Sequence, residues 1–170
     1  MIISDEKTVR LSEASAGDLV RLQIREHSLY GIVLGQERSR TVVGALQPLP
    51  DRVAHPFHFT PSNENYVVSY GSEWYIEIVP GDEFFAGNTD LRWASGALSL
   101  QGEEWIITFL PSPNDHEHAE LYYNLSINEL TESPTRESAK VGRWRIWKSA
   151  SSFANQRESA LIEVEAVKVG

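Results

Sequence analysis

The residues best suited to chemistry are histidines, and four of the five stand in two short clusters, residues 55–58 and 115–120. If the strand that follows the second cluster already begins near His116, then His116, His118 and Glu120 occupy alternate positions. Side chains at alternate positions project from one face of a strand, about 6 to 7 Å apart. The spacing would then place two imidazoles and a carboxylate on one surface.

Two histidines and a carboxylate form a ligand set that zinc hydrolases and non-haem iron enzymes use. His55 or His58 from the first cluster would complete a four-coordinate site around a divalent transition metal. One hypothesis is therefore a metal-dependent enzyme centred on His116, His118 and Glu120. The alternative, which we favour, is a solvated strand face that follows turn residues at 113–115.

Other catalytic chemistries lack their residues in this chain. There is no cysteine, which excludes a disulfide framework, a thiolate nucleophile and a Cys-ligated metal centre. There is no Gly-x-Ser-x-Gly elbow and no phosphate-binding P-loop. Adjacent carboxylates such as Glu103 and Glu104 point to opposite faces of a strand, so they do not act together on one bond. These exclusions favour a protein without catalytic activity.

The clearest structural pattern is an internal repeat. Residues 71–80 read GSEWYIEIVP and residues 102–111 read GEEWIITFLP, with Gly, Glu, Trp, Ile and Pro at matching positions. Each copy follows a short apolar run, so the pattern predicts two β-hairpins that turn at the glycine and present matched apolar faces. We interpret the tryptophans as core residues. The alternative is that Trp74 and Trp105 are platforms on which a ligand stacks.

Period-two alternation dominates much of the chain, as in residues 18–25, DLVRLQIR. The next apolar runs, up to residue 46, predict a hairpin whose internal glycines mark bends or bulges. Four of the eight prolines then fall within residues 47–65. Because proline lacks the N–H of a sheet ladder, we expect no central strand there and interpret the segment as a long connection or a subdomain boundary.

The predicted fold class is all-β, with about ten short, mainly antiparallel strands. We expect a single compact domain over residues 1–170, folded as a β-barrel or a β-sandwich. Helix is limited to one short segment around Phe153. Two small barrels that share a face are the alternative within this class.

One segment resembles a known fold. Gly17-Asp18-Leu19-Val20, followed by a hairpin through residues 31–34 (GIVL), is similar to the first strands of SH3-like barrels, including the PemK-type toxins. The resemblance covers only these first strands and implies that they curve into a barrel. Those toxins resemble ribonucleases with basic clefts, and no catalytic residue of theirs is carried over to this chain.

Charge is unevenly distributed along the sequence, whose net charge is −9. Residues 53–135 contain thirteen acidic side chains and one basic side chain, Arg92, whereas residues 136–170 have a net charge of +3. An acidic surface repels phosphate backbones, so we expect no nucleic-acid partner. The basic segment 136–148 is expected to fold back over the acidic middle, and the alternative is an acidic face that binds cations or a basic partner.

These observations predict a soluble, non-catalytic binding or interaction module that uses an acidic face from residues 64–120. Its partner would be an unidentified protein or small molecule. The charged start and the lack of a long apolar run predict a cytoplasmic protein that does not bind membranes. A third hypothesis is self-association through strand edges, because an open sheet leaves unpaired donors and acceptors there.

Overall fold

The structure, a computed structural model, describes residues 6–79, 94–135, 138–156 and 158–168. Sixteen strands lie within these residues: β1 (Lys7–Arg10), β2 (Leu19–Ile24), β3 (His27–Glu37), β4 (Arg40–Ala45), β5 (Phe57–Phe59), β6 (Tyr66–Ser69), β7 (Tyr75–Ile78), β8 (Ala94–Ser95), β9 (Leu98–Gln101), β10 (Glu104–Pro111), β11 (Leu121–Asn124), β12 (Glu129–Thr131), β13 (Ala139–Val141), β14 (Arg143–Trp147), β15 (Ile162–Glu165) and β16 (Val167–Lys168). They are joined by a 3₁₀ turn, Leu11–Glu13, and one helix, α1 (Ala150–Asn155).

This composition confirms the all-β prediction. There are more strands than the ten or so predicted, because several contain only two or three residues and are too short to show alternation. The described strands do not close into a barrel, which corrects the barrel that the first strands suggested. Closure would need the two end strands of the large sheet to pair, but β1 pairs with β6 and β12 with β11.

The largest sheet has eleven strands. Its main path runs β1-β6-β2-β3-β4-β5-β10-β11-β12, and β9 joins β10 to β13 at one side. All of these pairs are antiparallel except β5 with β10. The first hairpins of the chain and the later β9–β10 hairpin therefore belong to one sheet.

Strand β5 links these two parts and corrects the expectation that residues 47–65 hold no central strand. Its three residues pair with β4 on one side and with β10 on the other. Pro56 and Pro61 stand outside the strand. A short strand free of proline can donate to both neighbours, so the proline content of the segment was misleading.

The internal repeat forms one hairpin and not the predicted two. In the second copy, β9 and β10 pair around Gly102, which has a φ of 64°. In the first copy, β6 pairs with β1 and β2, while β7 pairs with β14. Tyr70 N–H donates to Leu19 O and Leu19 N–H donates to Gly71 O, both at 2.9 Å, so β2 occupies the edge that a hairpin would have used. Pro80, the end of the first copy, lies outside the described residues.

A smaller sheet consists of β7, β14 and β15. Arg145 on β14 stands opposite Glu77 on β7, with 3.7 Å between guanidinium and carboxylate, and its Nε donates to Glu163 at 2.9 Å. The basic segment thus folds back over the acidic middle, as predicted, although residues 136 and 137 lie outside the described residues. A third sheet pairs β8 with β16.

The core lies between the sheets and joins both copies of the repeat. Ile107 and Phe109 of the second copy are fully buried in its main cluster, against which Trp74, Ile76 and Trp105 pack. The two apolar rows of the repeat therefore meet in one core, which confirms that their alternate positions share an inward face.

One predicted bulge and the predicted helix are present. The register of β3 against β4 shifts between Val33 and Gly35, where Gly35 has a φ of 138°. Helix α1 contains Phe153 and begins after Ser149, whose hydroxyl accepts the Ser152 N–H. Among the described residues, no helix is both long and apolar enough to cross a membrane.

Candidate functional site

A cavity of about 310 Å³ opens where the two copies of the repeat meet. Seven apolar or aromatic side chains line it: Trp74, Tyr75, Ile76, Ile78, Leu98, Trp105 and Leu125. Three polar residues complete the wall: Ser72, Ser126 and Asn128. Both tryptophans that the sequence offered as stacking platforms therefore border the same space.

Trp74 is held in place by the turn that precedes β2. Its indole N–H donates to Gly17 O at 2.9 Å. Gly17 has a φ of 91°, and a Cβ at this position would overlap the Asn128 side chain. Only glycine fits that backbone and that contact. Gly17 therefore touches both Trp74 and Asn128, which line the cavity. Behind Trp74, the ring of Tyr75 stacks on Phe153 with centroids 4.8 Å apart.

Trp105 is positioned by its backbone near the start of β10. Its carbonyl accepts the Leu125 N–H at 2.8 Å, and its N–H donates to the Ser126 hydroxyl at 3.2 Å. The Asn124 side chain orders the same corner, since its Oδ1 accepts the Ser126 N–H at 2.9 Å. These hydrogen bonds join the Trp105 backbone to the turn after β11. They hold Trp105, Leu125 and Ser126, which line one side of the cavity, in fixed relative positions.

Acidic side chains stand beside lining residues of the cavity in sequence but are not among them. Glu73, Glu104 and Glu129 each stand one residue from a lining residue, and all three are exposed. Glu104 accepts a hydrogen bond from the Asn124 amide at 2.9 Å.

The histidine clusters are brought together only in part. Strand β11 begins at Leu121, so His116, His118 and Glu120 precede it and the strand face assumed for them does not exist. His55 is buried, with Nδ1 donating to Pro56 O at 2.6 Å. In the described ranges, no three His, Asp or Glu side chains are grouped so that they could hold a metal ion.

His58 and His118, however, do meet. Their ring centroids lie 6.4 Å apart with the ring planes nearly perpendicular. His58 Nε2 donates to Ala119 O at 2.8 Å, and His118 Nδ1 donates to both Asp115 carboxylate oxygens at 2.9 Å. Both rings border a cleft of about 450 Å³ that Glu37 and other side chains also line.

The environments of the two imidazoles shift their pKa values in opposite directions. Burial lowers the pKa of His58, an effect that the Ala119 hydrogen bond and the Asp115 charge only partly offset. The hydrogen bond and charge of Asp115 raise the pKa of His118, which is exposed, and the same pairing lowers the pKa of Asp115. Burial therefore favours the neutral form of His58, whereas Asp115 favours the protonated form of His118.

Sequence reasoning missed most of the cavity wall and the partners of the histidines. Leu98, Leu125 and Asn128 carry no motif, because they enter through strand pairing between distant segments. Asp115 stands three residues before His118, and this spacing is the sequence signal for a side-chain pair across a turn. No sequence signal indicates the carbonyl of Ala119 as the acceptor of His58.

Comparisons with protein-family models, with curated protein sequences and with solved structures found no match to this chain.

Proposed function

We propose that this protein is a non-catalytic binding module that accepts the ring of a small organic ligand in the cavity bordered by Trp74 and Trp105. One observation carries the proposal: two half-buried tryptophans that lie 31 residues apart in sequence border the same cavity. Indole faces offer a large, rigid apolar surface on which a flat ligand stacks.

The size and lining of the cavity support a single ring system as the ligand. Its volume of about 310 Å³ is near the lower end of the roughly 300 to 1,000 Å³ that small-molecule sites span. The wall is mainly aromatic and aliphatic, and the hydroxyls of Ser72 and Ser126 and the amide of Asn128 supply polar contacts. Ligand sites commonly combine such a wall with a few polar groups that fix orientation.

The surrounding charge supports a neutral or cationic ligand over an anionic one. Glu73, Glu104 and Glu129 stand close to the lining residues in sequence, and residues 53–135 have a net charge of −12. The ring faces of tryptophan also attract cations, by about 0.5 to 2 kcal/mol depending on exposure. The same negative charge argues against a nucleic-acid partner. We also propose that the protein is located in the cytoplasm.

Three probes that share one ring and differ in charge test this proposal: indole, tryptamine and indole-3-acetate. Ligand-observed NMR would measure their binding to the full chain. We expect tryptamine to bind at least as tightly as indole and indole-3-acetate to bind several-fold more weakly, because the acidic surroundings repel its carboxylate.

Two variants make the result specific to the cavity. Trp105→Ala removes one of the two indole faces and should abolish binding. Tyr66→Ala, at a side chain that is 65% exposed and outside the cavity, is the matched control and should bind normally. Equal binding by wild type and Trp105→Ala, or no binding of any probe, would refute the proposal.

A further inference from the structure

We propose that His58 and His118 form a binding site for a divalent transition-metal ion such as Zn²⁺ or Ni²⁺, with one free imidazole nitrogen of each residue as a ligand. This site is separate from the tryptophan cavity. It differs from the set that the sequence suggested, because His55, His116 and Glu120 take no part in it. The two ligands come from β5 and from the segment before β11.

Both imidazole rings are held by a hydrogen bond from one ring nitrogen. Histidines that bind metals almost always donate their other ring N–H to a carboxylate or a backbone carbonyl, which fixes the ring and its tautomer. His118 donates from Nδ1 to Asp115, and His58 donates from Nε2 to Ala119 O. Nε2 of His118 and Nδ1 of His58 are left as the nitrogens that can accept a metal. Both rings therefore have the outer contacts of metal ligands.

The distance between the two imidazole rings is close to that of two ligands on one ion. Two imidazoles that share one ion at Zn–N bonds of about 2.0 to 2.1 Å have centroids about 5 Å apart at a tetrahedral angle and about 6 Å apart at a wide angle. The observed separation is 6.4 Å. A shift of about 1 Å closes the gap to tetrahedral geometry. His118 can make this shift because its side chain is 45% exposed and lies outside the strands.

The charges around the two imidazoles and their nitrogen ligands favour a divalent transition-metal ion. Glu37 and Glu117 border the same cleft, and their charges favour a cation there. Since no three His, Asp or Glu side chains of the described residues converge on one point, water would complete the coordination. Such a site binds more weakly than a structural zinc site. Imidazole nitrogen selects Zn²⁺, Ni²⁺ or Cu²⁺ over Mg²⁺ and Ca²⁺, which prefer oxygen.

The test uses the untagged full chain and measures thermal unfolding during titration with ZnCl₂ or NiCl₂. Wild type should be stabilised in a saturable way that a chelator reverses, since an ion that binds only the folded state raises its stability. MgCl₂ and CaCl₂ should have no comparable effect. The visible spectrum of bound Co²⁺ provides a second readout that does not depend on unfolding.

Single-residue variants separate this site from general metal binding. His118→Ala should weaken the zinc response at least tenfold, and Asp115→Asn should weaken it by roughly ten- to a hundred-fold, the usual effect of losing an outer partner. His116→Ala, two residues away and also exposed, is the matched control and should respond like wild type.

Trp105→Ala should keep the zinc response, which makes failure of this site distinguishable from failure of the ring-binding proposal. An equal zinc response in wild type and His118→Ala would overturn the metal proposal. So would the absence of any response in wild type up to millimolar zinc.

Discussion

Trp74 and Trp105 occupy the same position in two similar sequence segments and border one cavity, although the segments enter different sheets. Trp74 directly precedes β7 of the three-stranded sheet, and Trp105 lies in β10 of the large sheet. The repeat therefore does more than supply two apolar rows to the core. It brings two tryptophans, from segments that enter different sheets, to the border of one cavity.

The hydrogen bond from Trp74 to Gly17 should contribute measurably to stability. Trp74→Phe keeps an aromatic ring but leaves the Gly17 carbonyl without its indole donor. We expect the free energy of unfolding to fall by about 1 to 3 kcal/mol, as is usual for loss of one partner of a partly buried hydrogen bond together with some packing. Urea denaturation measures this, and Tyr66→Phe serves as the exposed control. An unchanged midpoint in Trp74→Phe would contradict the assigned bond.

Close packing at Gly44 should make this position intolerant of a side chain. A Cβ there would overlap the ring of Phe109, which is fully buried. Gly44→Ala should lower the free energy of unfolding by about 1 to 3 kcal/mol, because overpacking displaces core atoms. Adding Phe109→Leu to Gly44→Ala should restore part of the loss in a double-mutant cycle. Strictly additive effects would argue against this contact.

The buried imidazole of His58 should make stability depend on pH. Its pKa is lowered by burial, so the unfolded chain, with a histidine pKa of about 6.5, binds the proton more readily than the folded chain. The free energy of unfolding should therefore fall as the pH drops below about 6.5 and through the lower folded pKa. The charged or titratable groups that act on this ring are Asp115, His118 and Glu37.

Urea denaturation between pH 5 and pH 8 measures the effect of His58. His58→Gln keeps an N–H donor but has no side chain that titrates in this range. The free energy of unfolding of this variant should therefore depend less on pH than that of wild type. A wild-type and a His58→Gln profile with the same slope would show that His58 is not the group responsible.

The Asp115–His118 pair should be visible in a histidine titration by NMR. Asp115→Asn removes the main cause of the raised His118 pKa, so the His118 pKa should fall toward its ordinary value. Glu117→Gln should produce a smaller fall, because Glu117 is the weakest of the groups that raise this pKa. Equal shifts in the two variants would mean that the hydrogen bond to Asp115 is not the dominant cause.

The sequence predicted the features that depend on local pattern. Alternation identified the strand class, Gly102 marked a real turn, Phe153 marked the helix, and the shared inward face of Trp74, Ile76 and Ile78 was correct. These predictions were correct because each feature depends on residues that are neighbours in sequence or on the alternation between a buried and an exposed face.

The sequence could not predict which distant strands would pair. The partner of β7 is β14, some 66 residues along the chain, and the Gly71 turn looked as suitable for a hairpin as the Gly102 turn. The histidine face failed for a related reason: alternation in β11 does not extend back to His116. Of the candidate ligands, only His58 and His118 meet, in a place where His58 of β5 donates to Ala119 O in the segment before β11.

The most direct test of the ring-binding proposal follows the indole N–H signals of the tryptophans by two-dimensional NMR while indole is added. Trp74 and Trp105 border the cavity, whereas Trp144 is fully buried with its N–H on Gly96 O, and the Trp147 N–H donates to Glu77. If the cavity binds the ring, the Trp74 and Trp105 signals should shift in a saturable way, and those of Trp144 and Trp147 should stay unchanged. Shifts that spare Trp74 and Trp105, or that affect all of these signals alike, would contradict the ring-binding proposal.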